Sequence, residues 1–187
     1  MNASGPLLAL AVVGWSLLTL LVVAAAVAAV LARRSRRTAV LSTTVGLTVL
    51  ALIVAALPPA GAPAAFATAI TIGALVIAVA GGSPVTRAVL DRVTFDEPEG
   101  AHGGLLAADG RELLRGGEVI GLLERFAVAG AIIAGFPEAL AVIIAIKGVG
   151  RFTELEAPEA RERFIIGTFA SLIWACAAAL VVHLAVH

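Results

Sequence analysis

Charge is scarce in this chain: 14% of 187 residues are charged, 13 basic against 13 acidic, so the formal net charge is zero. A surface that attracts nucleic acid needs a basic field, and none is available here. Tyrosine is absent and cysteine occurs once, as Cys176. A single thiol forbids an intrachain disulfide and a thiol-rich metal cluster, and inside an apolar stretch it reads as a small buried hydrophobe. His183 and His187 are spaced one helical turn apart, but no third strong ligand shares their segment, so no metal site is expected. His102 with Asp96, Glu97 and Glu99 reads as a solvated acidic loop. There is no Ser, His and Asp combination, no H-E-x-x-H, no phosphate loop and no dinucleotide fingerprint, which argues against an enzyme and against a bound cofactor.

What the chain has in abundance is apolar sequence. Apolar residues make up 60% of it and the mean hydropathy is +1.05, values that belong to a protein whose solvent is the bilayer. Hydropathy divides it into five apolar segments, 7–31, 38–57, 64–80, 126–146 and 164–186, each near the ~20 residues needed to cross hydrocarbon as a helix. None shows the alternation of a barrel strand, so the expected fold is all-α, a polytopic transmembrane helical bundle. Met1 to Pro6 carries no positive charge and the following apolar run reaches Leu31, too long for the core of a cleavable signal, so it reads as a retained first span. Trp15 and Trp174 read as packing residues.

The connections give the orientation. Arg33, Arg34, Arg36 and Arg37 fill the first, while Pro58 to Pro63 is uncharged, which puts Arg33–Arg37 in the cytoplasm of an inner-membrane protein and the N-terminus outside. The expected organisation is three N-terminal spans over 1–81, a cytoplasmic connection over 82–118 and a C-terminal helix pair over 119–187. Within the connection, Ser83-Pro84 followed by Val85, Val89 and Val93 predicts a short amphipathic surface helix, with Ser83 as its cap and the valines on the membrane. A second short helix around Arg111 to Arg115 is weakly marked, between Gly110 and Gly116-Gly117.

The fourth segment is ambiguous at Gly135-Phe136-Pro137. The break could kink one crossing helix or divide it into two arms that return to the same side. A re-entrant form gathers every Lys and Arg, including Lys147, Arg151, Arg161 and Arg163, on one side. The length of the run and the tolerance of transmembrane helices for proline favour the kinked crossing, which is the primary expectation.

Behind the break stands Glu138, an ionisable group at membrane depth and therefore one that must be paired, neutral or functional. Ala127, Ala131, Gly135 and Ala139 repeat every fourth residue on the fourth segment, as Gly167, Ser171, Ala175 and Ala179 do on the fifth. Ridges of small residues let helices approach closely, so antiparallel packing of these two segments is expected, with Glu138 near Ser171 and Thr168 the second hydrogen-bond candidate. Glu138 then reads as a neutral carboxyl in a structural hydrogen bond, as a proton or cation relay, or as half of a salt bridge. Glu124, Arg125, Lys147, Arg151 and Glu154 form a charged rim at the ends of the fourth segment. They read as interfacial anchors reaching for headgroups or, with Gly148 and Gly150, as an anion-binding rim.

Ile120-Gly121-Leu122-Leu123-Glu124-Arg125, Gly135 with Glu138-Ala139, Lys147, Arg151-Phe152 with Glu154-Leu155, and Phe164-Ile165-Ile166-Gly167-Thr168 with Ser171 resemble the C-terminal half of an uncharacterised bacterial membrane-protein family, domain of unknown function 3307. The resemblance covers residues 117–177. Family members usually lack a proline at the position of Pro137, which implies a continuous crossing helix, and their N-terminal half brings a His- and Asp-containing helix that Met1 to Gly81 lacks. The resemblance implies no activity. The expected function is that of an interaction or assembly protein, partnered by the lipid bilayer and by itself or another membrane protein. The alternatives are a transporter- or channel-like protein using Glu138 and a lipid-directed membrane enzyme.

Overall fold

The computed structural model describes residues 4–35, 37–57, 61–93, 117–150 and 158–186. Among them the chain forms α1 (Ser4–Arg34), α2 (Thr38–Ala55), α3 (Ala64–Val93), α4 (Gly117–Ile133), α5 (Ala139–Val149) and α6 (Pro158–Val186). The protein is all-α, as expected. Four helices contain runs long and apolar enough to cross a membrane, Leu8–Arg34, Thr38–Ala55, Ala64–Val93 and Ala160–Val186, which makes this a membrane protein. The acidic loop at 96–104, the weak helix at 111–115 and the rim residues Arg151 and Glu154 lie outside the described residues.

α3 is the centre of the bundle. It runs antiparallel to α6: Ala62 N–H donates to Ala185 O at 3.1 Å at one end, and Gly167 meets Thr86 and Leu90 near the other. It runs parallel to α1, with Gly73 against Val22 and Pro84 near Ala32. The arginine-bearing end of α1, the end of α3 and the start of α6 therefore share one side of the molecule. The core between these helices is made of Trp15, Leu18 and Val22, Ile70, Ala74 and Ile77, and Ala175, Ala178 and Val182. Lipid is as apolar as these side chains, so their association rests on close van der Waals contact more than on hydrophobicity. Small residues supply that closeness: a Cβ on Gly73 would stand 2.4 Å from Val22 Cγ1. The buried Thr44 and Thr48 on α2 satisfy their own hydroxyls on Val40 O and Thr44 O, each at 2.8 Å.

The surface helix expected from Ser83 does not exist as a separate element, because α3 continues unbroken to Val93. Pro84 lies inside it and removes the N–H that would have bonded Ala80 O. Gly81 and Gly82, at the expected boundary between the third span and the connection, serve as contact points for other helices. A Cβ on Gly81 would come within 2.7 Å of Trp174 Cζ2, and one on Gly82 within 2.1 Å of Arg125 Cδ. Trp174 Nε1 also donates to Ile77 O at 2.9 Å, which ties α6 to α3.

The fourth apolar segment is not one kinked helix; it is divided between α4 and α5. Gly135 takes φ +80°, its N–H donates to Ile132 O at 3.1 Å, and Phe136 N–H donates to Ala131 O at 2.8 Å. This pair of bonds over a left-handed glycine is the Schellman stop, and Pro137 just beyond it ends α4 for good. Glu124 and Lys147 are 23 residues apart, about 35 Å in a continuous helix, yet they form a salt bridge. The two arms therefore fold back on each other as a hairpin, and the kinked crossing is corrected.

Candidate functional site

The polar site lies at the base of this hairpin, and Arg125 is its centre. Its residue is 5% exposed, although its place at the edge of an apolar run suggested an interfacial anchor. α4 starts at Gly117, so Arg125 is in the helix interior and faces α3 and α6. Its Nε donates to Val79 O at 3.2 Å, Nη1 to Ser171 Oγ at 3.2 Å and Nη2 to Ser83 Oγ at 2.8 Å. The long side chain fits because Gly82 and Gly121 carry no Cβ where it passes. One guanidinium thus pins three helices through its fixed fork of donors.

Around it, Glu124 holds Lys147, whose ammonium also stands 5.8 Å from the Phe164 ring centroid. Further out, Arg33 at the end of α1 pairs with Glu118 in the first turn of α4 at 2.8 Å, which fixes the hairpin base to the arginine side. An open pocket of about 200 Å³ lies against Arg125, Lys147 and Arg163, and Thr86 and Thr168 reach it from α3 and α6. The hydroxyl oxygens of both threonines are buried without a hydrogen-bond partner among the described residues.

Glu138 is elsewhere. It is exposed at the tip of the hairpin, immediately before α5. It lies nine residues before Lys147, at most about 13 Å deeper along α5. The expected pairing with Ser171 is corrected, since Glu138 is exposed at the tip while Ser171 is buried at the base beside Arg125. Thr168 does not serve Glu138 either; its hydroxyl is unpartnered.

The expected ridges fare differently. On α6, Ser171, Ala175 and Ala179 are buried, and Gly167 packs on α3. On α4, Ala127 and Gly135 are exposed while Arg125, Val128 and Ala129 are buried, so the buried face is rotated away from the one expected. Because α4 and α6 both start on the arginine side, they run parallel where antiparallel packing was expected, and α3 is α6's antiparallel partner. Gly148 has nothing within 4 Å of an added Cβ, and Arg151, the other cation of the expected rim with Gly148 and Gly150, lies outside the described residues.

Sequence reasoning missed Val79, Gly82 and Ser83 as partners of Arg125. The available signal was an arginine four residues beyond Gly121, in a helix opposite a Gly-Gly-Ser triplet. Among the described residues no three metal-type ligands cluster. Comparison with family models, with curated proteins and with solved structures found no match to this chain.

Proposed function

We propose that this is a multi-pass protein of the inner (plasma) membrane that acts by association, with itself or with another membrane protein, through the tip of the α4–α5 hairpin. The positive-inside bias places Arg33–Arg37 in the cytoplasm and the N-terminus outside, so the hairpin re-enters the bilayer from the cytoplasm and returns. The observation that carries the reading is Glu138, exposed on a tip about 13 Å inward of the Glu124–Lys147 pair, roughly half the depth of a ~30 Å hydrocarbon layer. A carboxyl at that depth requires cover. Among the described residues the chain supplies none, and Phe136 beside it is 67% exposed. A second protein surface covers both. The transport reading lacks its second member, because Ser171 is held by Arg125. The resemblance over 117–177 to an uncharacterised family adds no activity to this reading.

Crosslinking tests it. In a Cys176→Ser background, Phe136→Cys should crosslink to a second copy or to another membrane protein in native membranes, and Glu138→Lys should abolish the product. Leu10→Cys, on an exposed face of α1, serves as the control. Equal yields from positions 10 and 136, or a yield unchanged by Glu138→Lys, would remove the reading.

A further inference from the structure

Among the described residues, the pocket at the hairpin base holds a buried cation, Arg125, that no carboxylate neutralises by direct contact. Arg125 and Lys147 border it beside the carboxylate of Glu124; two cations less one anion leave one positive charge, that of Arg125. Glu124 is engaged by Lys147, and among the described residues every acceptor on the Arg125 guanidinium is neutral: a backbone carbonyl and two serine hydroxyls. A guanidinium has five N–H donors, and three of these are in use. A buried cation is normally paired, and its unused donors are the geometry that oxyanions fit.

Two further donors face the same space. The Thr86 and Thr168 hydroxyls are buried and unpartnered, although a helical threonine ordinarily bonds the carbonyl one turn back, as Thr44 and Thr48 do here. An orphaned buried hydroxyl is costly, and two that border one cationic pocket share one explanation: a ligand with several acceptor oxygens. Gly121 leaves the α4 wall of the pocket without a side chain, so the ligand reaches Arg125. Lys147 and Arg163, which border the pocket, stand at the ends of the apolar runs, where headgroup phosphates lie.

We infer that this pocket is a phosphate-group site, in which Arg125 and Lys147 supply charge and Thr86 and Thr168 supply neutral hydrogen bonds. The inference is independent of association at the hairpin tip, which uses other residues. Both a phospholipid headgroup and a free phosphate carry the required chemistry, and they are separable.

The test is thermal unfolding of the full chain in maltoside micelles. It is titrated with dihexanoyl phosphatidylglycerol, with dihexanoylglycerol as the phosphate-free control, and with sodium phosphate against sodium chloride at matched ionic strength. Saturable stabilisation by the phospholipid alone identifies a headgroup site, and stabilisation by inorganic phosphate as well identifies a site for the free anion. Thr168→Val and Thr86→Val should each weaken that stabilisation about tenfold in apparent affinity, the effect of one hydrogen bond to a charged group. The same substitutions should raise the unfolding midpoint of the unliganded protein, because each replaces an unsatisfied hydroxyl by a methyl group. A purely structural threonine would not give these opposite signs. Absence of stabilisation by either phosphate probe, or an affinity unchanged in both threonine variants, overturns the site.

Discussion

The base and the tip of the α4–α5 hairpin each hold an ionisable residue, and the protein treats the two in opposite ways. At the base Arg125 is buried and held by three acceptors from α3 and α6. At the tip Glu138 is exposed. The base is internally complete enough to fix three helices; the tip is an unfinished surface. The difference teaches that depth along the chain does not decide how a charge is accommodated. What decides is whether neighbouring helices present acceptors and gaps at the same level. Arg125 finds two glycines and two serines there, whereas among the described residues Glu138 finds only its own turn.

The largest effect should come from breaking the base. Arg125→Ala removes three hydrogen bonds and leaves a cavity between three helices, a loss on the order of 3–5 kcal/mol read as a lower unfolding midpoint in micelles. Gly82→Ala should follow at about 2–3 kcal/mol, because a Cβ 2.1 Å from Arg125 Cδ forces the guanidinium off its acceptors. The tip should respond less. At Gly135 nothing lies within 4 Å of an added Cβ, so Gly135→Ala meets only the strain of φ +80°, about 1–2 kcal/mol. Comparing the two glycine variants separates steric from backbone strain: a double variant of Gly82→Ala with Arg125→Ala should lose little beyond Arg125→Ala, while Gly135→Ala should add to it. Glu138→Gln should shift the unfolding midpoint of the isolated subunit least, by less than about 0.5 kcal/mol, as expected for an exposed position. A large loss there would mean that the carboxylate belongs to the fold after all.

Much of the architecture is legible in the amino-acid sequence. The boundaries of α1, α2 and α6 follow hydropathy closely, since a bilayer imposes length and composition on a spanning helix. The burial of Ser171, Ala175 and Ala179 on α6 was also legible, since ridges of small residues let helices approach closely, but their ridge mate Gly167 meets α3 where the fourth segment was expected. Two features escaped for a common reason: a local pattern had two physical causes. Gly81-Gly82-Ser83-Pro84 has the composition of a helix break, but the glycines are required by Trp174 and Arg125, side chains 93 and 43 residues further on. Gly135-Phe136-Pro137 fits a kink or a stop, and the left-handed Gly135 together with the contact of Glu124 with Lys147 distinguishes them. The buried state of Arg125 was hidden because hydropathy starts the segment one residue later, at Phe126.

The account rests on the hairpin returning to the side it left. In a Cys176→Ser background, single cysteines at Ser35, Gly148 and Ala62 should be labelled in sealed, oriented vesicles with a membrane-impermeant maleimide. Positions 35 and 148 should label from one side and position 62 from the other. Labelling of position 148 from the same side as position 62 would mean that α4 and α5 cross the membrane, and would contradict the arrangement of both base and tip.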